Sequence, residues 1–207
     1  MLFTLGEIVD IVLMTAIIGY LFQDAFRLPR KDGDILEAYL KKGVWHRDWH
    51  DFWWACALVA PSIVLHELAH KFTALSFGLD AVFHAACSVS DAGFSTFCMI
   101  QLAAVAMKAF GFGFLIFVPG YVSIAGGASE LSGALISFAG PAVHLAFWLG
   151  CMWVTSDKKR IRKWPERKRF FVFFLQKINM FLFILNMLPI PGFDGFNIYM
   201  HLYRAFF

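Results

Sequence analysis

His66, Glu67 and His70 stand in the order His-Glu-Leu-Ala-His, inside a run apolar enough to lie in a membrane. On a helix, residues four apart are separated by about 6 Å of rise and about 40° of rotation. His66 and His70 therefore leave one face one turn apart, as two ligands of a single metal ion must. Glu67 adjoins them, within reach of a water that such an ion would activate. Ionisable side chains are expensive in hydrocarbon, so their presence there needs a purpose.

Two histidines leave a catalytic zinc site incomplete, since such sites take three protein ligands and a water. The acids downstream are Asp80, Asp91, Glu130, Asp157, Glu166 and Asp194. Asp157 and Glu166 belong to a basic stretch and are expected to be solvated. Asp194 follows Asn186-Met-Leu-Pro189-Ile-Pro191-Gly192-Phe193 and precedes Gly195. Two prolines and a glycine stop a helix there. At membrane depth, non-helical backbone is tolerated only against protein or water, so Asp194 is suited to line a cavity. Glu130, near Gly126 and Gly127, is the other candidate for a third ligand. Gln176, Asn179 and Asn186 share one face of an otherwise apolar segment. For Gln176 and Asn179 the expected role is interhelical hydrogen bonding. For Asn186, next to the break, it is a place in the site.

Positioning these residues requires a membrane fold. The chain has 207 residues, of which 59% are hydrophobic, and it contains 25 Phe. A chain of this length cannot hide so much apolar surface in one aqueous core, so lipid is the expected solvent. The reading is an all-α polytopic membrane protein: a helical bundle of four to six transmembrane segments, forming a single domain over 1–207. Spans are expected at 2–22, 52–77, 131–154 and 170–190. The stretch 99–118 is expected to be re-entrant or interfacial, or else a span paired with a second crossing. The first span is expected to be retained rather than cleaved, because Glu7 and Asp10 interrupt it. They share a face that should turn from lipid. Tyr121, Val122, Ser123 and Ile124, bounded by breakers, read as a short strand.

Of the 18 Lys and Arg, six fall between Arg27 and Arg47 and eight between Lys158 and Arg169. Short basic loops tend to stay in the cytoplasm, so both stretches are expected there. Nucleic acid is not an expected partner. Cys56, Cys87, Cys98 and Cys151 show no paired spacing and read as free thiols. His46 and His50 are four apart but lie among tryptophans, and their spacing reads as accidental.

The chain resembles the site-2 protease family of intramembrane zinc metalloproteases. The resemblance rests on His66-Glu67-x-x-His70, on Asn186-x-x-Pro189-x-Pro191-x-x-Asp194-Gly195, and on Gly140-Pro141 between them. It implies a three-span core over about 52–77, 131–154 and 170–195. It implies one zinc ion on His66, His70 and Asp194, with Glu67 as base. It further implies that Asn186 holds the substrate or the tetrahedral intermediate. Many relatives carry Asn where this chain has His144. A satisfied buried histidine is the expected reading there, with an accessory role at the zinc as the alternative. The length leaves no room for an inserted PDZ or CBS domain.

The activity implied is hydrolysis of a peptide bond in or near the transmembrane segment of a membrane-protein substrate (regulated intramembrane proteolysis). Zinc would lower the pKa of a bound water toward roughly 7, and Glu67 would take its proton. The strand at Tyr121–Ile124 could hold an unwound substrate by edge pairing. Two alternatives stay open. One is a membrane zinc protease of another class, with Glu130 as third ligand. The other is a non-catalytic membrane metal-binding or transport protein.

Overall fold

The computed structural model describes residues 3–26, 49–88, 95–110 and 120–207. The basic stretch 27–47, His46, Asp91 and the segment 111–119 lie outside the described residues. The architecture is all-α with one two-stranded sheet. Four described stretches are long and apolar enough to cross a membrane: Leu5–Phe22, Trp49–Ser76, Glu130–Thr155 and Glu166–Asn186. The chain divides into two compact units, residues 1–60 with 84–121, and residues 61–83 with 122–207.

In the first unit, helix α1 (Leu5–Phe22) opens with a capping box in which Thr4 and Glu7 satisfy each other's backbone donors. Leu5, Ile8, Val9 and Val12 are exposed, whereas Glu7 and Asp10 are each 2% exposed. The acidic face is thus turned inward, as its spacing predicts. Ser88 Oγ donates to Asp10 Oδ2 at 2.6 Å. Helix α2 (Trp49–Leu58) packs on α1. At Gly19 a Cβ would meet Cys56 Sγ at 2.2 Å, so glycine permits that approach.

In this unit the described part of 99–118 stays short of a full crossing, and the free-thiol reading of two cysteines is corrected. The stretch 99–118 contains helix α4 (Thr96–Ala109), which has 14 residues. That is about 21 Å of helix, short of the roughly 30 Å needed to cross. Its basic residue, Lys108, pairs with Asp24 and donates to the carbonyl of Leu21. The correction is that Cys87 and Cys98 form a disulfide. Ser95 caps α4 and also bonds Ala86 O, which draws the two cysteines together. Cys56 and Cys151 are free.

The second unit carries the candidate chemistry. Helix α3 (Ala60–Ser76) continues the apolar stretch of α2 after one turn residue, Val59. Pro61 explains the break, because its ring clashes with the carbonyl four residues back. Strand β1 (Asp80–Ala85) pairs with β2 (Gly120–Ala125). Ser123 Oγ reinforces the pairing by donating to Val82 O at 3.3 Å. Ala74, Ala81 and Ile136 form a small apolar core with Leu75, Leu79 and Val122 around it.

Helix α5 (Glu130–Thr155) begins at a Ser129 cap and contains Pro141. The short helix α6 (Lys158–Arg162) is capped by Asp157 within the second basic stretch. There Lys168 Nζ lies 4.4 Å from the Trp164 ring centre. Helix α7 (Glu166–Asn186) and helix α8 (Asp194–Phe206) both pack on α5. Between them the chain turns sharply. Gly192 has φ +99°, a backbone conformation that favours glycine. Gly195 lies so close to Met187 and Leu188 that a Cβ would meet their backbone at 2.5–2.6 Å.

Candidate metal centre and its surroundings

Helix α3 presents His66, Glu67 and His70, which are 6%, 7% and 8% exposed. The two imidazoles stand edge to face with centroids 4.7 Å apart. Asp194 reaches them as the first residue of α8, where the helix dipole favours a negative group. His66 Nε2 lies 3.1 Å from Asp194 Oδ2, and His70 Nε2 lies 3.4 Å from Oδ1. The two Nε2 atoms are themselves 3.1 Å apart. Burial pushes the Asp194 carboxyl up, but the contacts with His66 and His70 outweigh this and hold it below the ordinary carboxylate range. The donor set is two imidazole nitrogens and a carboxylate.

That donor set fits a divalent cation. Among the described residues, His66, His70 and Asp194 form the group able to hold a metal ion. A tetrahedral ion bonded at about 2.0–2.1 Å sets its ligand atoms about 3.3–3.4 Å apart. The two Nε2 atoms, 3.1 Å apart, lie close to that edge length, and each faces a different oxygen of the Asp194 carboxylate at 3.1 and 3.4 Å. His70 Nδ1–H donates to Ile136 O at 2.7 Å, which leaves the Nε2 lone pair directed at the group. His66 Nδ1 is buried and finds no hydrogen-bond partner among the described residues.

Helix α5 approaches the centre through Gly140. A Cβ there would meet His70 Nε2 at 2.3 Å and His66 Cε1 and Nε2 at 2.6 Å. Pro141 lacks an N–H, so it offers no helical donor to the Ser137 carbonyl four residues back, next to Ile136. Gly-Pro thus combines close approach with a missing helical donor.

His144, 2% exposed, packs its ring 4.7 Å from that of His66. Its Nδ1–H donates to Asn179 Oδ1 at 2.9 Å, and Asn179 Nδ2 donates to Leu175 O at 2.9 Å. Asn179 is fully buried, and its bond joins α7 to α5. Thr155 Oγ1 donates to Gln176 Oε1 at 3.3 Å, a second link between the same helices.

Glu67 lies within electrostatic reach of His66, His70 and Asp194. Asn186 ends α7 half-buried and makes no side-chain hydrogen bond among the described residues. Tyr121, Val122, Ser123 and Ile124 lie on β2, the last two exposed. Glu130 does not join the metal-binding group. Its Oε2 accepts from His201 Nδ1–H at 2.7 Å instead. Two features carry little sequence signal: the Ile136 carbonyl, which any residue would supply, and His201, which has no partner at telling spacing.

Four membrane-length helices and a buried two-histidine, one-carboxylate group define a helical membrane protein with a candidate metal centre. A curated relative from Mycolicibacterium smegmatis bears the name "Putative zinc metalloprotease Rip2". It is 29% identical over 147 residues, covering 66% of this chain and 52% of the relative. The chain thus spans about half the length of the curated relative it matches. No protein-family model and no solved structure matches the chain.

Proposed function

We propose that this chain is a zinc endopeptidase of the site-2 protease type, cutting a peptide bond in or near the transmembrane segment of a membrane protein. The observation that carries the proposal is the convergence of His66 Nε2, His70 Nε2 and Asp194 within 3.1–3.4 Å, beside Glu67, on a membrane-length apolar stretch. The zinc metalloprotease name of the relative supports the same reading. In this reading 1–207 acts as one metalloprotease domain.

His66, His70 and Asp194 would hold the ion. Bound zinc supplies Lewis acidity, which activates water and polarises a peptide carbonyl. Glu67 takes the proton of the attacking water and returns it to the leaving amine. A purely structural metal site has no use for that base. Asn186 donates its amide to the developing oxyanion, a role suited to its place at the end of α7. His144 stays hydrogen-bonded to Asn179 and packs against the His66 ring.

A helical substrate hides its peptide bonds in its own hydrogen bonds and must be unwound. Strand β2 offers an edge for pairing the extended substrate, with Tyr121, Val122, Ser123 and Ile124 as the contact. Val122→Pro removes a backbone donor there and lowers turnover; unchanged turnover sinks that role.

We place the basic stretches 27–47 and 158–169 in the cytoplasm. The disulfide Cys87–Cys98 supports this arrangement. It follows the span Trp49–Ser76 and so falls on the opposite side from 27–47, where disulfides persist.

Glu67→Gln is the test. The variant retains zinc and loses cleavage of a transmembrane reporter in detergent or nanodiscs. A parent chain that binds zinc yet cleaves no reporter, with a function indifferent to Glu67→Gln, would instead be a non-catalytic metal-binding protein.

A further inference from the structure

We propose that Glu130 and His201 form a latch that positions Asp194 for metal binding, an inference that rests on the zinc-site reading above. Asp194, Ile198 and His201 stand at offsets of four and seven, so they lie along one face of α8. That face is packed: Ile198 is 5% exposed. At its far end His201 Nδ1–H donates to Glu130 Oε2 at 2.7 Å. Glu130 is the first residue of α5.

A solvent-exposed ion pair by itself is worth little. Here the side chains are only 30% and 40% exposed, and a second contact fixes the ring. Gly133, one turn along α5 from Glu130, faces His201 so closely that a Cβ would meet three ring atoms at 2.6–2.8 Å. The imidazole is seated in a notch on α5 and held by the carboxylate beside it.

The same helix sets the histidine ligands. Ile136 O orients His70, and Gly140 lies against both imidazoles. Helix α5 therefore acts as a common ruler. One stretch fixes the rings on α3, and its first turn fixes the helix that delivers the carboxylate. Asp194 itself follows a turn built on two prolines and Gly192, where α8 is tied to the end of α7 by the close approach of Gly195 and by Tyr199 Oη–H donating to Met187 O at 3.2 Å. Without the latch, α8 loses its polar tie to the first turn of α5 and shifts on that helix, which displaces the third ligand. Glu130 and His201 are thus positioning residues, which touch neither metal nor substrate.

The experiment is zinc titration of the full chain in detergent, with cobalt absorption as a second readout of ligand geometry. Zinc affinity falls at least about tenfold in Glu130→Ala and in His201→Ala, the loss typical of removing an outer partner of a metal site. Glu130→Gln, whose carbonyl oxygen still accepts from His201, stays near the parent. Gly133→Ala, which expels the ring without removing a charge, weakens binding like the alanine variants. If Glu130→Ala does not fold, the exchange Glu130→His with His201→Glu decides. Recovery of affinity supports the latch, and affinity left at the Gly133→Ala level overturns it. Alanine variants that bind zinc as tightly as the parent also overturn it. Asp194→Ala runs alongside. Zinc binding indifferent to Asp194→Ala would overturn the metal-site reading itself, an outcome distinct from failure of the latch alone.

Discussion

The Nδ1 of His70 donates to the carbonyl oxygen of Ile136 across 2.7 Å, joining the histidine helix to the Gly-Pro helix at the candidate centre. A backbone acceptor on Nδ1 fixes both the tautomer and the ring plane, leaving Nε2 free to ligate. That bond needs the two helices close together, and Gly140, four residues after Ile136, provides the space.

Gly140→Ala follows from this. The new methyl would stand 2.3 Å from His70 Nε2, so α5 or the rings must give way. Overpacking of this kind costs about 1–3 kcal/mol. We expect lower thermal stability together with a loss of zinc affinity of about tenfold or more. Scanning calorimetry and zinc titration check both, and unchanged affinity would show that the approach does not shape the centre.

Asn179 makes a second prediction. Removing its amide in Asn179→Ala leaves the buried His144 Nδ1–H without its acceptor. An orphaned buried donor costs about 1–3 kcal/mol. Replacing both residues by apolar ones of similar size should cost less than the single change, because no donor is then stranded. Denaturation of the solubilised variants measures the difference. A double variant less stable than Asn179→Ala would contradict the pairing.

The cysteines give a chemical test. Alkylation of the denatured chain without reductant should label two cysteines, Cys56 and Cys151. After reduction it should label all four. Mass spectrometry reads the count. Cys87→Ser with Cys98→Ser should lower stability by about 2–4 kcal/mol.

Much of this arrangement is legible in the sequence because membrane helices announce themselves by length and hydropathy. The spans expected at 131–154 and 170–190 correspond to Glu130–Thr155 and Glu166–Asn186. The inward turn of Glu7 and Asp10 follows from the cost of exposing acids to lipid. The pairing of His66 with His70 follows from helical geometry alone. Other features leave no such trace. Cys87 and Cys98 lack a paired motif, and their bridge depends on how Ser95 folds the chain back onto Ala86. Glu130 is attractive as a ligand in sequence because it is acidic and near glycines. Only the packing of α8 on α5 brings His201 to it. The 99–118 segment is apolar apart from Gln101 and Lys108, yet hydropathy does not reveal that its described helix ends at Ala109.

The most direct measurement is anomalous scattering at the zinc edge from crystals of the full chain. One strong peak is expected about 2.0–2.2 Å from His66 Nε2, His70 Nε2 and an Asp194 oxygen, lost in Asp194→Ala. A peak bound by other side chains, or one that persists with full occupancy in Asp194→Ala, would contradict the proposed centre.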